Sequence, residues 1–447
     1  MRIRNIIRLA VMAAIALVPV TASAQLSSIN TFSPYTFYGL GDFHMQGSAN
    51  LRAMGGASLG YRAFVTTNGI VNYTNPASLS ATPRYSFHFN FGMEGSNHYL
   101  KATDKKTSFN TFNIRDISFQ MPLHNRLAMS VSLTPFSSVG YRTEIDERDP
   151  AILEQLYQGG AIGAKYLYDG NGDINQAKFS IGWEPIKNLS VGVDMVYYFG
   201  KINRSFTTDI LTTSGDAAYI NSQVAQVERV SRIMWNLGLQ YNIFANNHRQ
   251  LTLGATYNIG GKLNPEITTS VVNSLSIVQN INNGLGENFE LPATISVGLM
   301  YQTWKMSAGI DYSYQGWGGL NKDSEIAGEA GSVDMKFRNT NALRGGIEFT
   351  PDRNDIRKLF RRFTYRAGVH YSDYYMKFND TNINNMGVTL GIGIPLRYES
   401  RSYLDIGVEY GRRGTTKQNL IKENYFKVSI GFRLFGTDQW FMKMMFD

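Results

Sequence analysis

From residue 85 to residue 434 the dominant pattern is an alternation, in which large apolar residues at every second position are separated by glycine, small polar or charged residues. Clear examples are residues 189–197 and 426–434. A period of two is typical of β-strands, because successive side chains point to opposite faces. With the weaker segments included, the pattern predicts about 14 strands.

The second face of these strands carries charge. Lys427 and Arg433 lie between the apolar residues of the last strand, and Asp405 and Glu409 do so in the strand before it. A dry sandwich core would not accept these charges, whereas a water-filled or plugged lumen would. The pattern therefore predicts an all-β fold, a transmembrane antiparallel β-barrel of the outer membrane over residues 85–434. The alternative is a secreted β-sandwich or propeller, although no propeller-type repeat is visible.

The predicted connections alternate between short and long. Residues 122–125 and 185–188 are short turns, whereas residues 146–173 and 264–288 read as long polar loops. Outer-membrane barrels have short periplasmic turns and long extracellular loops, and an even strand number places both termini in the periplasm. The segment 351–362 should be a short turn but is long and basic, so we expect a periplasmic surface patch there.

The N-terminus has the features of an export signal. Three arginines precede an apolar run at residues 9–20, and Ala22-Ser23-Ala24 provides a cleavage pattern, which predicts a signal peptide over residues 1–24. The run is too short for a spanning helix of about 20 residues. The chain has no cysteine, which excludes disulfides and a lipidated N-terminal cysteine. A net charge of +8 is only weak evidence for an anionic partner, and we expect no nucleic acid.

Residues 25–84 are rich in glycine and show no sustained strand or helix period. Such a segment cannot build a core of its own, so we expect it to be a hatch, or plug, inside the barrel. It ends in Asn75-Pro76-Ala77. At the other end, residues 435–447 form a tail that either extends the last strand or lies at the periplasmic interface.

Three short patterns could carry chemistry, and none has the context it needs. Gly56-Ala57-Ser58-Leu59-Gly60 fits a nucleophile elbow but lacks the strand, helix and partners of a hydrolase. Residues 169–173 resemble the start of a calcium loop but lack its glycine and its final glutamate. The six histidines show no zinc spacing. We therefore predict no catalytic residue, no metal site and no cofactor, and hence a protein that is not an enzyme.

Pro135 interrupts the third predicted strand. The alternation is regular from Leu127 to Leu133 and then stops. Proline has no N–H to donate to a β-ladder, so it marks an edge, a bulge or a break in pairing. In a closed barrel a break would be a gap in the wall, and an ordinary bulge near the rim is the alternative.

The order of these features resembles the FadL-type outer membrane transport protein family. The residues that carry the resemblance are a plug ending in Asn75, Pro76 and Ala77, about 14 strands, and a third strand interrupted at Pro135. The opening Ser33-Pro34-Tyr35-Thr36-Phe37-Tyr38-Gly39-Leu40-Gly41-Asp42, with Met54-Gly55-Gly56, resembles the Bacteroidetes-type branch. The resemblance implies that Asn75, Pro76 and Ala77 are hatch residues, and that Pro135, Phe136 and Gly140 shape a lateral opening.

Two functions remain open at this point. The resemblance implies an outer-membrane channel that takes up hydrophobic small molecules, such as long-chain fatty acids, and releases them sideways into the membrane lipid. The alternative is a protein-binding barrel, an accessory subunit or shuttle of an outer-membrane secretion or assembly complex. An apolar pocket beside Pro135 would favour the channel. A polar lumen, or a surface patch such as Arg357, Lys358, Arg361 and Arg362, would favour the protein-binding barrel.

Overall fold

The computed structural model describes residues 31–437, apart from residues 65–70, 103–104, 158–160, 213–221, 274–276, 286–289, 323–334 and 397–400. The predicted signal peptide and most of the predicted tail lie outside the described residues. Within them, 14 antiparallel strands form a closed barrel. The strands are β1 (Ser86–Lys101), β2 (Lys106–His124), β3 (Leu127–Glu147), β4 (Ala161–Ile186), β5 (Leu189–Thr212), β6 (Ser222–Ala245), β7 (Arg249–Asn258), β8 (Thr294–Thr303), β9 (Met306–Gln315), β10 (Thr340–Phe349), β11 (Thr364–Phe378), β12 (Thr381–Pro395), β13 (Tyr403–Arg413) and β14 (Lys422–Thr437).

Each barrel strand pairs with its neighbours in sequence, and β1 closes the barrel by pairing with β14. That last ladder runs from Ser86 opposite Thr437 to Lys101 opposite Lys422. Closure removes the unpaired edges that an open sheet would expose, as a membrane-spanning sheet requires. The predicted barrel is confirmed. β14 continues to Thr437, beyond the predicted end of the barrel at Leu434.

The two faces of the wall differ as the alternation predicts. Along β6, the outward side chains of Trp235, Leu237 and Leu239 are exposed, whereas the inward side chains of Asn236 and Gln240 are buried. Outward apolar residues match a lipid-facing band, and inward polar residues match a plugged lumen. No helix in the described residues is long and apolar enough to cross a membrane.

The barrel is taller on one side. β4 has 26 residues and β5 and β6 have 24 each, whereas β7, β8, β9 and β10 have 10 each. The expected loop at residues 146–173 is therefore wrong in part: β3 runs to Glu147, β4 begins at Ala161, and residues 169–173 are strand. Polar strands that rise above an apolar band need no apolar alternation, so their sequence resembles a loop.

The remaining elements are short. The extension of β6 pairs with strand Glu266–Asn273, which pairs in turn with Ile277–Leu285. Other short strands are Asp42–Phe43, Gly261–Lys262, Glu290–Leu291 and Met335–Phe337. The α-helices are Ala49–Arg52 and Pro150–Tyr157, and the 3-10 helices are Pro34–Phe37, Pro76–Ala81, Trp317–Lys322, Leu359–Arg362 and Lys417–Asn419. We call the end of the barrel that carries the β2–β3 and β4–β5 turns the turn end, and the opposite end the loop end.

The described part of the predicted hatch comprises residues 31–64 and 71–84, and it contacts inward-facing residues of the wall. Leu51, Met54 and Tyr61 of the hatch pack with Met300 of β8 in a fully buried cluster. The backbone of the hatch passes so close to the wall at Gly368 that a Cβ there would collide with it. Glycine on the inner face of a strand thus permits backbone-to-backbone packing.

Candidate functional site: an interrupted wall filled by the hatch

The pairing between β2 and β3 ends part-way up the wall. It runs from His124 opposite Leu127 to Ile117 opposite Leu133. Towards the loop end, β2 continues on β1 as far as Lys106, and β3 continues on β4 as far as Glu147. No described strand joins the upper parts of β2 and β3. We call this interval the lateral opening.

Pro135 lies where the lateral opening begins. Its pairing with β4 shifts register between Pro135 and Ser137, so a bulge and the end of β2 pairing coincide. The carbonyl of Pro135 accepts a hydrogen bond from Nε2 of the hatch residue Gln46, at 3.1 Å. The Gln46 Oε1 atom in turn accepts hydrogen bonds from Thr134 at 3.2 Å and Gln176 at 2.6 Å. A hatch side chain therefore satisfies the carbonyl of Pro135 at the position where β2 no longer pairs with β3.

The hatch also takes the place of β2 along the edge of β3. Asp42 and Phe43 pair antiparallel with Ser138 and Ser137. Farther along, the Ser33 N–H donates to the carbonyl of Gly140 at 2.7 Å. Backbone groups that β2 leaves behind are thus satisfied by the hatch, as a membrane wall requires.

A positive-φ glycine permits this close approach. Gly41 has φ +83°, and a Cβ at this position would collide with the carbonyl of Ser138. Both the backbone conformation and the contact with β3 thus require a residue without a side chain.

Phe136 contributes an aromatic ring behind the lateral opening. Its ring centroid lies 5.2 Å from that of Phe43 and 4.7 Å from that of Tyr198. These rings join a buried apolar cluster in the loop-end half of the barrel, which also contains Leu40, Val139, Tyr141, Ile174, Val196, Ile202, Trp317, Phe337 and Tyr375. The space behind Phe136 is therefore filled by apolar side chains from both the hatch and the wall.

The hatch meets β2 through side chains. The Phe32 ring stacks on that of Phe109 at 3.4 Å between centroids. Arg115 Nη2 donates to the carbonyl of Met45 at 3.3 Å. Among the described residues, the hatch is therefore held to β3 by backbone and side-chain hydrogen bonds and to β2 by contacts with its side chains.

Two arginines of the hatch form buried ion pairs with carboxylates of the wall. Arg52 Nη1 lies 3.1 Å from Asp116 Oδ1, and Arg52 Nε lies 3.6 Å from Glu94 Oε2. Arg62 Nη2 lies 3.2 Å from Glu184 Oε2. Arg52 and Asp116 are almost fully buried, so separating them would leave uncompensated charge in the lumen.

Asn75, Pro76 and Ala77 lie nearer the turn end than Pro135 does. Asn75 Oδ1 accepts from the Ala77 N–H at 3.1 Å and so caps the Pro76–Ala81 helix. The carbonyl of Pro76 faces Gly182, which pairs with Ala128 of β3. Along β3, Ala128 precedes Pro135 on the turn-end side. The predicted site residues therefore form two groups, one at the lateral opening and one below it.

A cavity of about 370 Å³ lies in the lumen between the hatch and the loop end. Phe43, Phe136 and Trp317 line one part of it, and charged residues line the rest. Its ion pairs are Lys427 with Glu409 at 3.5 Å, Arg115 with Glu94 at 3.7 Å and Arg413 with Asp42 at 2.7 Å, and His370 Nε2 forms a hydrogen bond with Glu409 Oε1 at 3.1 Å. The expected apolar pocket beside Pro135 is therefore replaced by an amide network at Pro135 and a cavity of mixed polarity next to Phe136.

His44 borders this cavity on the hatch side. Its Nε2 atom lies 2.6 Å from Ser138 Oγ. Burial, with the nearby cations Arg115 and Lys427, holds the pKa of His44 well below its usual value. His44 is therefore neutral at physiological pH and contributes a hydrogen bond, without charge, to the edge of β3.

The other candidate patterns have no catalytic geometry. The Ser58 hydroxyl donates to the Gly56 carbonyl at 3.1 Å, within a hatch turn. The Ser58 and Leu59 N–H groups donate to Asp311 Oδ2 at 2.6 and 3.0 Å, which fixes that turn to β9. In the part of the chain that the structure describes, no group of three or more His, Asp or Glu side chains could hold a metal ion.

Comparison of the sequence with models of protein families assigns the chain to one family. The model named BamG matches residues 3–447. The chain belongs to the BamG family. No curated protein is detectably similar to this BamG-family chain in sequence.

Solved structures show which fold the BamG-family chain has. The CymD monoaromatic hydrocarbon channel is 15% identical, with a TM-score of 0.56 over 88% of this chain and 98% of that chain. The Pseudomonas putida toluene transporter TodX is 16% identical, with a TM-score of 0.56 over 88% and 99%. A Pseudomonas aeruginosa FadL homologue is 12% identical, with a TM-score of 0.52 over 88% and 99%. The predicted FadL-type resemblance is confirmed at the level of the fold.

Proposed function

We propose that this barrel is an outer-membrane channel for hydrophobic small molecules, long-chain fatty acids among them, which leave sideways through the lateral opening. In this proposal the turn end and both termini face the periplasm. The observation that carries it is the end of β2–β3 pairing at Leu133, beyond which the hatch occupies the edge of β3. The names of CymD and TodX, which share the fold, support a hydrophobic cargo.

The apolar cluster behind Phe136 provides the route. A hydrophobic molecule that enters at the loop end would displace rings such as Phe43 and Tyr198 and remain out of water until it reaches lipid. Each methylene it buries stabilises the complex by about 0.8 kcal/mol. The step forms and breaks no covalent bond.

The free energies needed to break these contacts favour a local movement of the hatch. Residues 33–44 hold β3 by a few backbone hydrogen bonds, each worth a net of about 1 kcal/mol, and hold β13 by the buried Asp42–Arg413 pair, whose separation costs roughly 3–5 kcal/mol. Burying about ten methylenes, at about 0.8 kcal/mol each, would offset that loss. Withdrawing the whole hatch would break the buried Arg52 pair as well, at roughly 3–5 kcal/mol. We therefore infer that residues 33–44 move while residues 46–64 and 71–82 stay.

A reversible crosslink tests this inference. Phe43 and Ser137 are direct partners in an antiparallel ladder, and such Cα atoms lie about 4.5–5.5 Å apart, which suits a disulfide. Because the chain has no cysteine, F43C/S137C would form one defined bridge. Uptake of a fluorescent fatty acid into barrel-containing liposomes should fall under oxidation and recover on reduction.

The matched control is S130C/S180C, a wall pair of β3 and β4 that leaves the hatch free. It should show no effect of oxidation. Unchanged uptake with the F43C/S137C bridge formed, as verified by mass, would refute lateral release past the hatch.

A second function is favoured by the charged lining of the cavity. Glu94, Arg115, Glu409 and Lys427 suit a hydrophobic cargo poorly, because its passage would desolvate them. We propose as the alternative a protein-binding barrel that is an accessory subunit or shuttle of an outer-membrane secretion or assembly complex. Native mass spectrometry of the gently extracted barrel separates the two. A co-purifying lipid would support the channel, whereas stoichiometric protein partners with an empty lumen would support the accessory subunit.

A further inference from the structure

The connection between β10 and β11, residues 350–363, is an ordered surface loop at the turn end. The β2–β3, β4–β5 and β8–β9 connections at the same end are short turns. This loop contains the Leu359–Arg362 helix and is fixed to the neighbouring turn by the Thr350 N–H, which donates to the Lys305 carbonyl at 2.7 Å. We call residues 350–363 the basic loop.

Asp355 organises the basic loop from within. Its Oδ1 atom accepts hydrogen bonds from the N–H groups of Arg357 and Lys358, both at 2.8 Å. Its Oδ2 atom lies 3.3 Å from Arg361 Nη1. The hydrogen bond from the Lys358 N–H is the main reason why the pKa of Asp355 is lowered. The carboxylate therefore stays charged, and the turn stays formed. The cationic side chains are therefore presented by a preformed backbone.

Two large apolar side chains protrude from this charged loop. Ile356 is 77% exposed and Phe360 is 71% exposed, the highest values among the large apolar side chains of the described residues. Arg357, Lys358 and Arg361 are exposed beside them. Exposed apolar side chains set among cations are typical of an interaction surface.

The apolar part of the basic loop continues the outward face of the barrel. Arg366 points inward, where it pairs with Glu348 at 2.8 Å and Asp405 at 2.7 Å, so Tyr365 points outward. The Tyr365 hydroxyl donates to the Phe360 carbonyl at 3.0 Å. The Phe360 and Phe363 rings meet edge to face at 5.4 Å. The exposed ring of Phe360 thus lies at the border of the lipid-facing surface.

We propose that the basic loop binds anionic phospholipid in the leaflet beside the turn end, with Ile356 and Phe360 in the interfacial region and Arg357, Lys358 and Arg361 at the lipid phosphates. Continuity with the outward face of Tyr365 favours lipid over an acidic protein, because a lipid contacts this border wherever the barrel is embedded. Aromatic and basic side chains are the residues that hold proteins at such interfaces. The proposal rests on the assignment of the turn end to the periplasmic leaflet, and it holds whether or not the barrel transports a hydrophobic molecule.

Lipid titration of the full-length barrel tests the proposal. Purified barrel in detergent would be titrated with phosphatidylglycerol or phosphatidylcholine, and bound lipid counted by native mass spectrometry. Each cation near a charged leaflet contributes about a fivefold change in affinity. R357Q/K358Q should therefore weaken phosphatidylglycerol binding by roughly 10–30-fold and leave phosphatidylcholine binding unchanged.

Matched variants keep the result interpretable. K105Q/K106Q removes the same charge from exposed positions at the loop end and should have no effect. R357K/K358R keeps the charge and should retain binding. I356S/F360S should weaken the binding of both lipids, because it removes the inserted side chains.

Two results would overturn the proposal. One is equal phosphatidylglycerol affinity in R357Q/K358Q and the unaltered barrel. The other is loss of a stoichiometric protein partner from R357Q/K358Q with lipid binding intact, which would assign the basic loop to an acidic protein. Neither result bears on the F43C/S137C uptake experiment, so failure of this proposal is distinguishable from failure of the channel.

Discussion

We predict that the buried pair of Arg52 and Asp116 holds the hatch in the lumen. Arg52 of the hatch is 4% exposed and Asp116 of β2 is fully buried, with 3.1 Å between Arg52 Nη1 and Asp116 Oδ1. Arg52→Gln removes the cation and leaves the carboxylates of Asp116 and Glu94 buried with less compensation. Breaking a buried pair in this way costs roughly 3–5 kcal/mol. Because the strands still close the barrel, we expect that cost to fall on the attachment of the hatch.

The expected result is a shift towards an open lumen. At about 1.4 kcal/mol per factor of ten, the population with a displaced hatch should rise by roughly 10²-fold to 4 × 10³-fold. Single-channel conductance in planar bilayers would detect it, since a displaced hatch leaves a water-filled lumen. The unaltered barrel should conduct rarely, and Arg52→Gln should open frequently.

The matching carboxylate variant isolates the charge effect. Arg52→Gln/Asp116→Asn removes both members of the pair and should recover much of the closed state, because no unpaired charge is left at that position. If Arg52→Gln and the double variant conduct equally, or if neither conducts more than the unaltered barrel, the buried pair does not hold the hatch and the reasoning fails.

Three further predictions follow from the hatch contacts. The pKa of His44 is lowered in the closed state and returns to its usual value near 6.5 when the hatch is released, so protonation favours release as the pH falls below about 6.5. Conductance should therefore rise about tenfold at pH 5.5. His44→Gln should abolish that rise. Gly41→Val should detach the hatch from Ser138, which faster hydrogen exchange at residues 33–44 would report, whereas exchange equal to that of the unaltered barrel would contradict the contact. Asn75→Ala should remove the cap of Ala77 and cost about 1 kcal/mol locally, visible as faster proteolysis of residues 71–82 in a folded barrel.

The barrel could be predicted from sequence because its signal is local. Period-two alternation distinguishes the outward Leu237 from the inward Asn236 without knowledge of any distant residue. The extent of β4 could not be predicted in the same way, because its polar loop-end part lacks an apolar face. Residues 169–173 therefore looked like a loop although they pair with both neighbouring strands.

The contacts that attach the hatch are long-range and have no local signal. Asp42 pairs with Arg413 of β13, and Ser58 with Asp311 of β9, across most of the chain. Their inward positions in the alternation identify Arg413 and Asp311 as lumen residues. The alternation does not show which hatch residue each of them contacts. Pro135 shows the same limit: proline marks an irregularity, and whether it is a bulge or an opening depends on where the register of β2 ends.

The unequal attachment of the hatch indicates on which side the lateral opening would widen. Its bonds to β3 include a ladder of backbone hydrogen bonds and the His44–Ser138 side-chain hydrogen bond, which are lost together when residues 42–44 move. Its contacts with β2 are side-chain contacts at Phe109, Arg115 and Asp116, and the Arg52–Asp116 pair is buried. Movement of residues 33–44 would release the ladder on β3, while the buried Arg52–Asp116 pair would keep the rest of the hatch on β2. The outward Phe112 of β2 is 67% exposed, so a molecule that passed there would meet apolar surface at once.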